Sequence, residues 1–416
     1  MPPTRSPTRL STQHQSIGAL AIIASLLGVP TAKADVVTEW NIRDGEIVTA
    51  AGLETPQANR LMAIAHTAAY QAVNAITGRY PAAGAKLRPA PGASIDAAIA
   101  AAHRTTLVQL VPSQGSTIDT VYQAALSKIA DGAAKTAGIG VGEMAAANVL
   151  AERVDDGAAA RESYRPYTTA GVYVPTGIPA APQWPLRKPW LMSSPSQFRP
   201  GPPPPLSSAL WERDYNEIKS MGAKNSSNRS AEQTDIARFW EATLPPIYHG
   251  LVRSVATMPG RDVMQNARLF AAVTQASDDA LIAVFEAKYH YAFWRPITAI
   301  RNGDIDGNDR TERDSSWIPF INTPMHPEYP CAHCIVAAAI GTVLQAEIGD
   351  GPLPTLTTIS STANGTARSW SGIDAFVQEV ANARVYDGVH YRNSTEVGTA
   401  MGKKIGALAV IRFPRN

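Results

Sequence analysis

The amino-acid sequence predicts an all-α protein, and three observations carry that expectation. Apolar residues recur at three- and four-residue intervals through "ANRLMAIAHTAAYQAVNAIT" (58–77), "SIDAAIAAAHRTTLVQLV" (94–111), "TIDTVYQAALSKIA" (117–130) and "GEMAAANVLAERV" (142–154), the spacing that lines one face of a helix. The composition, 45% apolar with abundant alanine and 17% charged, suits closely packed helices and argues against a disordered chain. No strand-rich stretch or internal repeat is evident.

At the N-terminus, Arg5 and Arg9 precede the apolar run "IGALAIIASLLGV" (17–29), and "AKA" (32–34) supplies the small residues a signal peptidase accepts. Residues 1–34 therefore read as an export signal, with the mature chain starting near Asp35 in the periplasm or outside the cell. Thirteen apolar residues are too few to span a bilayer comfortably, and no later run is longer, so no stable membrane insertion is expected. The predicted helices occupy an N-terminal part, 35–173. Prolines then break the pattern in 174–206, where Trp184, Trp190, Leu191 and Phe198 point to a loop packed across the surface rather than a linker. A C-terminal part, 207–416, resumes with helices expected at 207–221, 230–241, 247–258, 262–279, 279–294, 332–347, 372–386 and 395–411, all within one continuous domain.

A net charge of +2, from 37 basic and 35 acidic residues, gives no global field for nucleic acid or an anionic membrane. Any affinity for anions must be local. Two cysteines cannot form a disulfide framework in a chain of 416 residues. The loop with Asp304, Asp306 and Asn308 departs from a calcium loop, because Asp309 stands where glycine is required and Ser315 where a bidentate glutamate belongs.

Three C-terminal segments carry the chemistry. In "KYHYAFWRP", Lys288 and Arg295 lie seven apart, so a continuous helix would project both cations from one apolar face, where an anion such as Glu286 or a ligand should meet them. In "MHPEYPCAHC" (325–334), Pro330 precedes a helix start whose free amides around Cys331, Ala332 and His333 suit an anion. The same stretch admits zinc on Cys331, His333, Cys334 and His326, a dithiol or disulfide, or two packed thiols. In "ARVYDGVHYRNS" (383–394), Arg384 and His390 flank Gly388, which lets the chain turn. His66 and His103, on alanine-rich helices, read as core; His290 could support the site from beside Lys288; His249 carries no signal.

In order, these segments resemble the signature of the vanadium-dependent haloperoxidases and type 2 phosphatidic acid phosphatases, one superfamily: Lys, six residues, Arg-Pro; Pro-Ser-Gly-His; Ser-Arg, five residues, His, three residues, Asp. Here the pattern runs Lys288 and Arg295-Pro296, then Pro330-Cys331-Ala332-His333, then Ala383-Arg384, His390 and Ser394. The resemblance implies a helical bundle of that family's type. It implies an oxyanion held by Lys288, Arg295, Arg384, Cys331 and Ala332, with Lys288, His333 and His390 catalytic. His390 would bond vanadium in a haloperoxidase, or attack phosphorus in a phosphatase that needs no cofactor. His333 would exchange a proton at the opposite apex. His326 would lie behind the site.

The departures from the pattern are local. Cys331 replaces a serine donor by a weaker thiol. Ser394 replaces the aspartate that would orient His390, a loss Asp387 could compensate. Three activities remain open: halide oxidation with vanadate and peroxide, hydrolysis of a phosphate ester through a phosphohistidine, and non-catalytic oxyanion binding. "YHYAFWRPITAIR" and "HPEYP" favour the first; a peroxide-sensitive thiol at Cys331 counts against it.

Overall fold

The computed structural model describes residues 35–81 and 87–415; the predicted leader lies outside them. Among the described residues the chain forms thirteen α-helices and one β-hairpin. The first five helices are α1 (Val36–Ala50), α2 (Thr55–Thr77), α3 (Ile95–Leu110), α4 (Gly115–Leu126) and α5 (Ala133–Arg153). Next come α6 (Ala209–Met221), α7 (Ala231–Phe239), α8 (Pro246–Ala256), α9 (Val263–Tyr291) and α10 (Pro296–Arg301), then α11 (Ala332–Ile348), α12 (Ile373–Tyr386) and α13 (Arg392–Arg412). Strands β1 (Leu356–Ser360) and β2 (Thr366–Trp370) pair antiparallel with Leu356 opposite Trp370. The fold class is all-α, and no described helix is long and apolar enough to cross a membrane.

Helix α9 is the axis of the structure. A capping box fixes its start: Asp262 accepts from the Gln265 amide, and the Gln265 side chain accepts from the Asp262 amide. No proline or glycine interrupts the sequence up to Tyr291, so the two helices expected at 262–279 and 279–294 are one. Every residue from Asn266 to Lys288 is buried, as a helix must be when neighbours cover it on all sides. Helices α2, α11 and α13 pack around it. Along α13, Gly398, Gly402 and Gly406 face the α11 backbone so closely that a Cβ would lie 2.6, 2.2 and 2.6 Å from the carbonyls of Cys331, Ile335 and Ala339. That close approach brings the start of α13 against the start of α11.

The proline-rich stretch 174–206 is fastened to α9 by buried charge. Arg187 donates to Asp278 at 3.2 and 2.9 Å, and Asp279 accepts from the amides of Trp190, Leu191 and Met192 at 2.7, 2.8 and 3.0 Å. Three elements were not expected, the short α10 (Pro296–Arg301) being one of them. Helix α1 forms because Asp35 caps it, accepting from Thr38 N at 2.9 Å. The hairpin forms from "LTTIS" and "TARSW", each only five residues long and rich in Thr and Ser that also suit loops.

Candidate functional site

The three motif segments meet where α9, α11 and the α12–α13 turn converge. Helix α9 ends in a left-handed Ala292, φ 46°, and the chain turns before Arg295 opens α10. Lys288 and Arg295 therefore sit on two elements, not on one face of a continuous helix. Glu286 is not their counter-ion: it pairs with Arg199. The turn after α12 requires Gly388, with φ 84°, since a Cβ there would lie 2.3 Å from the Gly222 carbonyl.

Three cations are buried together. Lys288 Nζ donates to the carbonyls of Pro327 and Glu328 at 2.9 and 2.7 Å. Arg295 donates through Nε to His326 O at 2.8 Å, through Nη1 to Val389 O at 2.8 Å, and through Nη2 to His326 Nδ1 at 2.9 Å. Each Nη nitrogen keeps a second hydrogen. Arg384 Nη1 donates to Trp240 O at 2.9 Å and lies 2.7 Å from Asp387 Oδ2, while its Nε is buried with no hydrogen-bond partner. Burial, then the neighbouring Arg295, pulls the Lys288 pKa well below its usual value. Burial also lowers Arg295 to about 10.

The histidines share this environment. His326 Nδ1 lies between Arg295 Nη2, which can only donate, and Pro327 O at 3.1 Å, which can only accept. His390 Nδ1 lies 2.7 Å from Glu328 Oε1, and its Nε2 lies 3.5 Å from Arg295 Nη1. His333 Nε2 donates to Ala242 O at 3.2 Å. All three imidazoles have pKa values well below 6.5, chiefly through burial and then through the nearby cations. A cavity of about 450 Å³ opens here, with His326, His333, Arg384 and His390 on its polar side and Leu281, Phe285, Val336, Leu244 and Leu53 on its apolar side.

Several expectations change. The carboxylate facing His390 is Glu328, 62 residues upstream in sequence; Asp387 instead pairs with Arg384. Glu328 Oε1 also accepts from the Tyr391 amide at 3.1 Å, and burial raises the carboxyl to about 7 despite Lys288 and Arg295. Ser394 lies beside Glu328, close enough for its hydroxyl to help hold that value down, without reaching good hydrogen-bond geometry. Cys331 and Cys334 form a disulfide, which removes both from any zinc site and leaves Cys331 with no S–H to donate. The Cys331 amide donates to Ser394 O at 3.2 Å, and its sulfur accepts from Cys334 N at 3.2 Å as the cap of α11. The amides remaining at the helix start belong to Ala332 and His333. His290 is exposed at the end of α9, against Tyr291. Asp306 accepts from Trp211 Nε1 and Thr311 Oγ1, and no metal-ligand cluster occurs among the described residues.

Sequence reasoning missed Glu328. The only local signal was a carboxylate set among prolines and aromatics in "HPEYP", where a charge is costly without a partner.

Residues 268–415 match the family described as the second helical-bundle domain of vanadium chloroperoxidase. The vanadium chloroperoxidase of Curvularia inaequalis is 30% identical across 34% of this chain and 28% of its own length, so the match spans under a third of that relative. A bacterial vanadium-dependent iodoperoxidase superposes with a TM-score of 0.76 at 24% identity, covering 91% of this chain and 97% of that one. A holo-type bacterial vanadium-dependent chloroperoxidase gives 0.68 at 19% identity, covering 87% and 93%. The fold is thus that of the bacterial vanadium haloperoxidases, and the resemblance read from the three motifs holds.

Proposed function

We propose that the chain is an exported vanadium-dependent haloperoxidase, which holds vanadate at the His390 cluster and oxidises a halide with hydrogen peroxide. The observation that carries this reading is the convergence of Lys288, Arg295 and Arg384, all nearly fully buried, near His390, whose Nε2 lies 3.5 Å from Arg295 Nη1. The carboxylates nearby are two, Glu328 facing His390 and Asp387 facing Arg384, against three basic side chains. Buried cations in excess are costly unless an anion completes the site. The unpartnered Arg384 Nε is a donor suited to an oxyanion's oxygens.

Vanadate bound there would activate peroxide for two-electron oxidation of halide. The protein's own residues do the rest. The guanidiniums and Lys288 would hold the oxyanion's negative charge, and the Ala332 and His333 amides would add donors from the positive end of α11. His390 would offer its Nε2 lone pair to the bound group, and His333, kept neutral by burial, would be the residue that exchanges a proton with it. The apolar wall of the cavity limits water. The Cys331–Cys334 disulfide supports this reading, because no thiolate meets peroxide in the loop and because such a bond suits an oxidising compartment.

The test is halide oxidation by purified full-length protein with orthovanadate, peroxide and bromide or iodide. Activity that needs orthovanadate and disappears in His390→Ala is the expected result. Hydrolysis of p-nitrophenyl phosphate without vanadate, lost in the same variant and with no halide oxidation, would assign the site to phosphoryl transfer.

A further inference from the structure

We infer that Glu328 is the positioning carboxylate of His390, standing in from a different segment for the aspartate that Ser394 replaces. The inference rests on the oxyanion-site reading above.

The geometry gives Glu328 one job. Its own amide is tied to Phe293 O at 2.9 Å, which fixes the backbone against the turn between α9 and α10. Its carbonyl, with that of Pro327, receives Lys288 Nζ, while the neighbouring His326 receives Arg295. The tripeptide His326-Pro327-Glu328 therefore binds the first motif segment through its backbone and His326. The Glu328 side chain then reaches the third segment, where Oε1 sits 2.7 Å from His390 Nδ1 and 3.1 Å from Tyr391 N. An acceptor shared with a backbone amide that can only donate favours the proton on His390 Nδ1. Nε2 is left as a lone pair on the side of Arg295. That is the tautomer an oxyanion ligand or nucleophile requires.

Ser394 explains why the exchange is possible. It lies in the first turn of α13, four residues after His390, and is buried beside Glu328. One carboxylate fills this space; an aspartate at 394 with Glu328 still present would crowd two like charges together. Glutamate at 328 and serine at 394 thus form a matched pair. The relocation also separates Asp387 from His390 and leaves it to Arg384. On this account the site is complete, and the missing aspartate has not silenced it.

The test uses orthovanadate as the probe and the full-length chain. Removing an outer partner of a metal-ligating histidine typically weakens affinity by 10–100-fold, so Glu328→Ala is expected to raise the orthovanadate Kd by about that factor. Adding Ser394→Asp to Glu328→Ala should recover at least about tenfold of that loss. If Glu328→Ala does not fold, Glu328→Leu, which keeps the volume, carries the same expectation with Ser394→Asp.

A second measurement needs no substitution at 328. In 15N-histidine-labelled wild type, the His390 signals, identified by their loss in His390→Gln, should show a protonated Nδ1 and a bare Nε2. Wild-type affinity in folded Glu328→Ala, failure of Ser394→Asp to restore it, or the opposite tautomer in the wild type would each overturn the assignment. Absence of orthovanadate binding by the wild type would instead overturn the haloperoxidase reading, and the tautomer measurement would still decide this one.

Discussion

Six of the eight histidines gather into two groups of three, one with His326 and His333 only partly buried and one fully buried, and only the first has the makings of a site. His326, His333 and His390 line one cavity, with His390 on Glu328; His66 and His103 lie against Asp44, and His249 joins them through Asn41. In the second group, Asn41 Nδ2 donates to His66 Nε2 and His249 Nδ1 at 3.1 and 2.7 Å, and Asn41 Oδ1 accepts from Arg253 at 2.9 Å. His103 Nδ1 lies 2.9 Å from Asp44, Trp40 stacks on His103, and Phe270 stacks on His66. That group is held by the Asn41 amide, aromatic faces and a single guanidinium, Arg253, that reaches it through Asn41. The first is ringed by three cations and opens on a cavity. Imidazoles around a buried carboxylate are therefore a way to build a core as readily as a site. Excess positive charge beside an open wall is what marks the chemistry.

The sharpest way to break this contrast is to remove one histidine from each group. His333→Ala should cut halide oxidation by on the order of 10²–10⁴-fold, the usual worth of a positioned proton carrier, with little change in urea unfolding. His66→Ala should cost about 2–4 kcal/mol of stability through lost packing and unpaired polar groups, while the protein that stays folded keeps its activity. A folded but inactive His66 variant would join the two groups into one functional unit. A smaller effect separates the cations. Arg384→Ala should weaken orthovanadate binding by about 2–3 kcal/mol, as for a buried anion losing a charged donor, whereas Arg253→Ala should leave it unchanged in titration calorimetry.

What could be read from the sequence follows the same division. Lys288, Arg295, His333, Arg384 and His390 were legible because each motif fixes residue types at short, local spacings. The helices were legible where apolar periodicity ran unbroken, and α9 was split only because its all-round burial blurs any single face. Glu328 was not legible as the partner of His390, since that pairing depends on how α11 and α13 pack, through Gly398, Gly402 and Gly406, rather than on spacing. The disulfide was undecided for a similar reason: two cysteines three apart at a helix start fit a bond or two thiols equally. The sealed triad gave no combined signal because Asp44, His66, His103 and His249 come from four helices.

Acid offers the mildest probe of the sealed group. Burial lowers the His249 pKa to about 3 and that of His66 well below 6.5, so both are neutral in the folded chain. In the unfolded chain each titrates near 6.5. A group with a depressed folded pKa leaves stability intact above the unfolded value and removes it as pH falls below, by about 1.4 kcal/mol per pH unit per histidine. His249→Gln removes one titrating ring but can still accept from Asn41 Nδ2 through its amide oxygen. Urea unfolding between pH 6 and 4.5, above the range where most carboxylates protonate, should show a slope shallower by about 1.4 kcal/mol per unit in that variant. An unchanged slope would mean that His249 carries charge in the folded protein, with Asp44 the buried carboxylate at hand to offset it, and the contrast between the two groups would weaken.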